Sequence, residues 1–217
     1  MNHSPRQYAR AAGILYLLTH VTSVLAVVAY AAGAIRGGVT LEFTLAIGCA
    51  GTGILLWVLL RDHGAARAAT FALLRGVEAS VIIVGATPLL ATAWLNRPDM
   101  VATATATELH NAAFLLGQGL VISVNTIVLG WLLRSSRAVP TMLALLGLAG
   151  GAIVLVSNLA QLWGLVPRNG TVAVIGAVPV FAFELWFAIH LITVGLRQER
   201  VAVLDSSAPT GGSRELT

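Results

Sequence analysis

Residues 68–95 read AATFALLRGVEASVIIVGATPLLATAWL, and this stretch decides the fold class. A helix rises about 1.5 Å per residue, so about 20 apolar residues cross the ~30 Å hydrocarbon layer of a bilayer. The stretch exceeds that length and carries only two charged side chains, Arg75 and Glu78. Outward from it lie further apolar runs at 13–34, 41–60, 111–133, 140–166 and 171–196. The breaks between runs carry turn and charge signals: Arg36-Gly37-Gly38, Arg61-Asp62-His63-Gly64, Asn96-Arg97-Pro98-Asp99, Arg134-Ser135-Ser136-Arg137 and Pro167-Arg168-Asn169-Gly170. The pattern predicts an all-α, polytopic transmembrane six-helix bundle over 13–196. A cytoplasmic segment (1–12) precedes it, and a polar tail (197–217), read as disordered and cytoplasmic, follows it.

Composition points the same way. Of 217 residues, 57% are hydrophobic and 10% are charged, where soluble domains carry roughly 25% charge. So few charges cannot cover the surface of a water-soluble fold, which excludes a soluble enzyme, a disordered chain and a disulfide scaffold. The net charge of +4 and pI near 10.2 do not indicate nucleic acid, because the basic residues are scattered singly between apolar runs. All 13 basic residues are Arg. Without Lys there is no P-loop and no Schiff base to retinal or pyridoxal. The lone Cys49 excludes an internal disulfide and reads as a small core residue.

Arginine placement sets the expected orientation. Arg6, Arg10, Arg61, Arg67, Arg134, Arg137, Arg197, Arg200 and Arg214 fall on one side, and Arg36, Arg97 and Arg168 on the other. Positive charge accumulates on the cytoplasmic side, so both termini are expected in the cytoplasm of a multi-pass protein of the cell inner membrane. Arg6 and Arg10 ahead of an apolar run ending at Ala29-Tyr30-Ala31 imitate a cleavable signal, but the run is long for one.

Several motifs follow one another along the chain: Arg10 to Leu18 (RAAGILYLL), Arg75 with Glu78, His110, then Gly117, Gly119 and Gly130. Ser135 to Pro140, Gly147 with Gly151, Glu184 and Gly195 complete the order. Over about residues 8 to 197 the chain resembles a bacterial six-helix membrane family known as domain of unknown function 4386. Thr141 departs from the basic residue that often follows the proline there. The resemblance implies a six-span inner-membrane protein and no particular activity.

Ionisable groups inside a span are costly, so each is a candidate site. Arg75, Glu78 and Glu184 are the charges expected within the hydrocarbon; the others fall in loops, tails or span ends. Measured from the cytoplasmic ends, Arg75 lies ~10 Å deep, Asn125 ~12 Å, His20 ~14 Å, Glu78 ~15 Å and Glu184 ~18 Å. The candidate ligand-binding residues are therefore Arg75, Glu78, Asn125, Glu184, His20 and Tyr16, with Glu78 and Glu184 as candidates for acid–base chemistry. Tyr16, His20 and Ser23 form one stripe, and Asn111, Gln118 and Asn125 form a seam at seven-residue spacing. His190 points ~120° away from Glu184 on the same helix, and His110 is expected at the surface with Glu108. No metal and no cofactor are expected, because His20 and His190 differ in depth and cysteine ligands are absent.

Three functions fit this constellation. One is a module that binds or transports a small amphipathic molecule, exchanging a proton at Glu78 or Glu184 and holding an anionic group on Arg75. A homo-oligomer would supply the repeated halves that the chain lacks. The second is a membrane-embedded acid–base enzyme on a membrane lipid or an isoprenoid. The third is a scaffold in which Arg75, Glu78 and Glu184 only fix helix register.

Overall fold

The computed structural model describes residues 4–95, 99–168 and 170–197. Among them there is no strand, and five helices are long and apolar enough to cross a membrane. These are α1 (Pro5–Ala31), α2 (Ile35–Trp94), α3 (Met100–Ser135), α4 (Thr141–Leu162) and α5 (Thr171–Thr193). Asn96, Arg97 and Pro98 of the expected third break, Asn169 of the fifth, and the expected tail beyond Arg197 lie outside the described residues.

The chain's own capping chemistry sets the helix ends. Pro5 opens α1, where its missing N–H costs nothing, and the Ser4 backbone N–H donates to Gln7 Oε1 at 2.9 Å. That start draws Ala9 and Ala12 into the buried core, well before the apolar run expected at 13. Asp99 caps α3, accepting the Ala102 N–H at 2.6 Å, so α3 begins about three turns ahead of the run expected at 111. Gly164 (φ +68) follows α4 and Gly195 (φ +80) follows α5, left-handed positions that glycine takes without a Cβ clash.

Helix α2 has 60 residues, and a straight helix of that length would measure about 90 Å. It is instead broken at Gly64, where the backbone leaves helical geometry. The two arms, 35–63 and 65–94, lie side by side. Arg75 on the second arm reaches Thr52 on the first, and Arg36 Nη2 reaches the Ala93 carbonyl at 3.4 Å.

The helices close into a ring, with α1 packed on both α2 and α5, and α3 between α2 and α4. Small residues bring the backbones together. A Cβ at Gly130 would lie 2.9 Å from the Leu148 backbone nitrogen, and one at Gly13 would lie 2.7 Å from the Ala188 carbonyl. The start of α1, Gly64, Ser135 to Val139 and Arg197 gather at one end, where Leu56, Phe71, Leu132, Phe183 and Phe187 form the main core. The outer surface is apolar: Leu73, Val84, Val156 and Ile175 are all well exposed, while Arg75, Glu78 and Asn125 are buried. Apolar outside and polar within is the arrangement of a protein whose solvent is lipid.

Candidate functional site

Two charged groups on the second arm of α2 begin the site. Arg75 and Glu78, one helical turn apart, share a face, and Arg75 Nη1 donates to Glu78 Oε2 at 2.8 Å. Arg75 Nε and Nη2 both donate to Thr52 Oγ1 at 3.1 Å, across the α2 hairpin. The Tyr16 ring on α1 faces the same guanidinium, 5.4 Å from its centre. Glu78 takes two more donors: Asn125 Nδ2 from α3 at 2.8 Å and the weak Cys49 thiol at 3.6 Å. The ion pair is thus closed on itself, with Glu78 held from three directions.

Glu184 on α5 is held differently. Its Oε2 faces His20 Nε2 on α1 at 3.4 Å, and it makes no other side-chain bond among the described residues. The other ring nitrogen, Nδ1, lies 2.9 Å from the Tyr16 carbonyl. A carbonyl only accepts, so this bond assigns a hydrogen to Nδ1 and turns Nε2 toward the carboxyl. The His20 and Glu184 side chains are 12% and 9% exposed, against 2% and 3% for Arg75 and Glu78.

The difference has a spatial cause. A cavity of about 220 Å³ lies between α1, α2, α3, α4 and α5, with His20, Glu184, Arg75 and Glu78 on its wall. Ser23 and Gln118 add polar groups, and Val24, Leu45, Ile122, Val180 and Phe181 supply the apolar remainder. Of the six ligand-binding candidates, four line the cavity. Tyr16 and Asn125 do not; they stand behind it, Tyr16 under the guanidinium and Asn125 on Glu78. His190 is buried away from this wall, and its Nε2 finds no hydrogen-bond partner among the described residues.

The polar seam of α3 carries a feature that spacing did not announce. Residues Leu115–Val121 form a π-helical turn centred on Gln118, a widening that often accompanies functional positions. Ser23 Oγ on α1 donates to Gln118 Oε1 at 3.3 Å.

A second cluster went unread in the sequence. The apolar run expected at 41–60 puts Glu42 at a span end, yet it is 4% exposed. Tyr30 donates its hydroxyl to Glu42 Oε2 at 2.8 Å, and His110 Nε2 faces Glu42 Oε1 at 3.4 Å. His110 is therefore not at the surface with Glu108: its side chain is only 14% exposed and faces Glu42, while the exposed Glu108 holds Arg168 at 2.6 Å. Residues two apart on a helix point in nearly opposite directions, so the two meet different neighbours. The signal available was Glu42 itself, an acid inside an apolar run.

Residues 11–195 match the family described as domain of unknown function (DUF4386). The chain belongs to that family. No curated protein and no solved structure matches it. Membership agrees with a membrane protein whose activity is open, and the site's chemistry must supply the reading. Among the described residues no group of three or more His, Cys, Asp or Glu side chains is placed to hold a metal ion.

Proposed function

We propose that this family member is a six-span protein of the cell inner membrane that binds a small amphipathic molecule at Glu184 and exchanges it for a proton. The two arms of α2 would each cross the bilayer, which brings the helices to six crossings with both termini in the cytoplasm. Arginine placement supports this orientation, and Arg61 stacked over Trp57 and Arg67 over Trp131 suit a membrane interface at the Gly64 end.

The observation that carries the reading is the contrast in how the two cavity carboxyls are held. Glu78 is neutralised by Arg75 and fixed by Asn125. Arg75 is in turn spent on Glu78 and Thr52, which leaves it poorly disposed toward an anionic ligand. Among the described residues Glu184 has only a histidine, and it reaches the cavity. With Nδ1 already donating to the Tyr16 carbonyl, the pair is satisfied by one shared proton, either as imidazolium and carboxylate or as imidazole and carboxylic acid. A ligand bearing an ammonium group would neutralise Glu184 in place of that proton, and its apolar body would rest on Phe181, Val24 and Leu45. About 220 Å³ admits a molecule of roughly a dozen heavy atoms.

Phenethylamine, with phenylethanol as the uncharged comparison, tests this on the detergent-purified protein. Binding to the folded state raises the unfolding temperature by mass action. The amine should raise it in the wild type, more strongly as pH rises and the competing proton leaves, and Glu184→Gln should abolish the shift. An equal shift with the alcohol, or a shift that survives in Glu184→Gln, overturns the reading.

A further inference from the structure

The Glu42–His110 pair repeats the Glu184–His20 pair in an unexpected amount of detail. In each, a glutamate faces a histidine Nε2 at 3.4 Å from another helix. In each, the histidine Nδ1 lies against a backbone carbonyl, Tyr16 for His20 and Gly85 for His110, at 2.9 and 3.1 Å. Each carbonyl assigns a hydrogen to Nδ1, so each pair needs one further proton to be satisfied when buried. Other charged or titratable neighbours are few. Tyr30 from α1 faces Glu42, while Cys49, Arg75 and Glu78 from α2 share the wall with Glu184. The one described residue of α4 on that wall, Val154, is apolar.

The second pair opens on its own cavity of about 560 Å³, toward the end of the bundle opposite Gly64, with Thr103, Thr107 and Asn111 among its polar lining. This cavity and the one at Glu184 share Ser23, Leu45 and Gln118 on their walls. The Ser23–Gln118 hydrogen bond at the π-helical turn is thus what stands between two proton-binding pairs. Both cavities exceed the ~30 Å³ that a water molecule occupies, and both offer it polar partners.

We propose that Glu42 and His110 form a second proton-binding site, and that protons pass between it and Glu184–His20 past Ser23 and Gln118. The inference rests on reading Glu184 as the exchanging carboxyl, and it gives that carboxyl a proton supply from the opposite end of the bundle. Each loaded pair is electroneutral. On transfer the donor pair returns to carboxylate and imidazole, the acceptor pair gains the proton, and no electron moves.

The full chain in phosphatidylcholine vesicles tests it, with pyranine inside and a potassium diffusion potential set by valinomycin. The wild type should acidify the interior several-fold faster than empty vesicles, and Glu42→Gln should fall to the rate of empty vesicles. Wild-type flux no faster than empty vesicles, or undiminished flux in Glu42→Gln, overturns the proposal. Should Glu42→Gln fail to fold, dicyclohexylcarbodiimide on the wild type decides, because it modifies protonated carboxyls in apolar surroundings. Adducts on both Glu42 and Glu184 support the path, and an unmodified Glu42 overturns it. The amine-induced shift in unfolding temperature is a separate measurement, so failure of the binding reading is distinguishable from failure of the path.

Discussion

Glu78 and Glu184 enter one cavity from α2 and α5, two helices that α1 separates, and what surrounds each carboxyl separates a structural charge from an exchangeable one. Glu78 sits among three donors and its side chain is 3% exposed. A carboxylate held that way is part of the fold, because releasing it would strand the buried guanidinium of Arg75. Among the described residues Glu184 has one partner, itself titratable, at a distance longer than a good hydrogen bond. It has room to change partner. The lesson is that burial of an acid inside an apolar helix does not assign its role; the number and kind of its donors do.

Three substitutions would break or sharpen this comparison. The largest effect belongs to Arg75→Ala, which leaves Glu78 buried and uncompensated and should cost about 3–5 kcal/mol. Measured by thermal unfolding in detergent, a wild-type transition in that variant would show that the pair does not hold α2 together. Asn125→Ala removes one donor while Arg75 remains, so the expected loss is about 1–2 kcal/mol, read in the same experiment. An unchanged transition there would mean that Asn125 contributes nothing to fixing Glu78. Glu184→Gln should shift stability least, by about 0.5 kcal/mol or less, because the new amide can donate to the lone pair on His20 Nε2. A loss as large as that of Arg75→Ala would place Glu184 with the structural charges and erase the distinction.

Much of the site was legible because it obeys helical periodicity. Arg75 and Glu78 share a face by their spacing, and Tyr16 and His20 share one by theirs. Counting rise per residue put Asn125 at nearly the depth of Glu78, and the two are hydrogen-bonded across α2 and α3. Periodicity could not say which of Arg75 and His20 meets Glu184, since that depends on the rotation of α5 against α1. Nor could it reveal the second pair. Glu42 seemed terminal because its apolar run begins at 41, whereas α2 starts at Ile35 and surrounds it with helix on both sides. His110 becomes its partner only because α3 extends back to Met100 and lies along α2.

Hydropathy along the chain already shows that lipid is its solvent, which runs can cross it, and which residues are too polar to be there without a purpose. Those properties are local, because the hydropathy of a run is a sum over its own residues. The tertiary structure alone decided the pairings: Glu78 with Arg75, Asn125 and Cys49, Glu184 with His20, and Glu42 with Tyr30 and His110. Pairing depends on neighbour order and helix rotation, which are set where small residues such as Gly13, Gly53 and Gly130 let two backbones meet. Those contacts join residues far apart in the chain, so no reading along it could supply them.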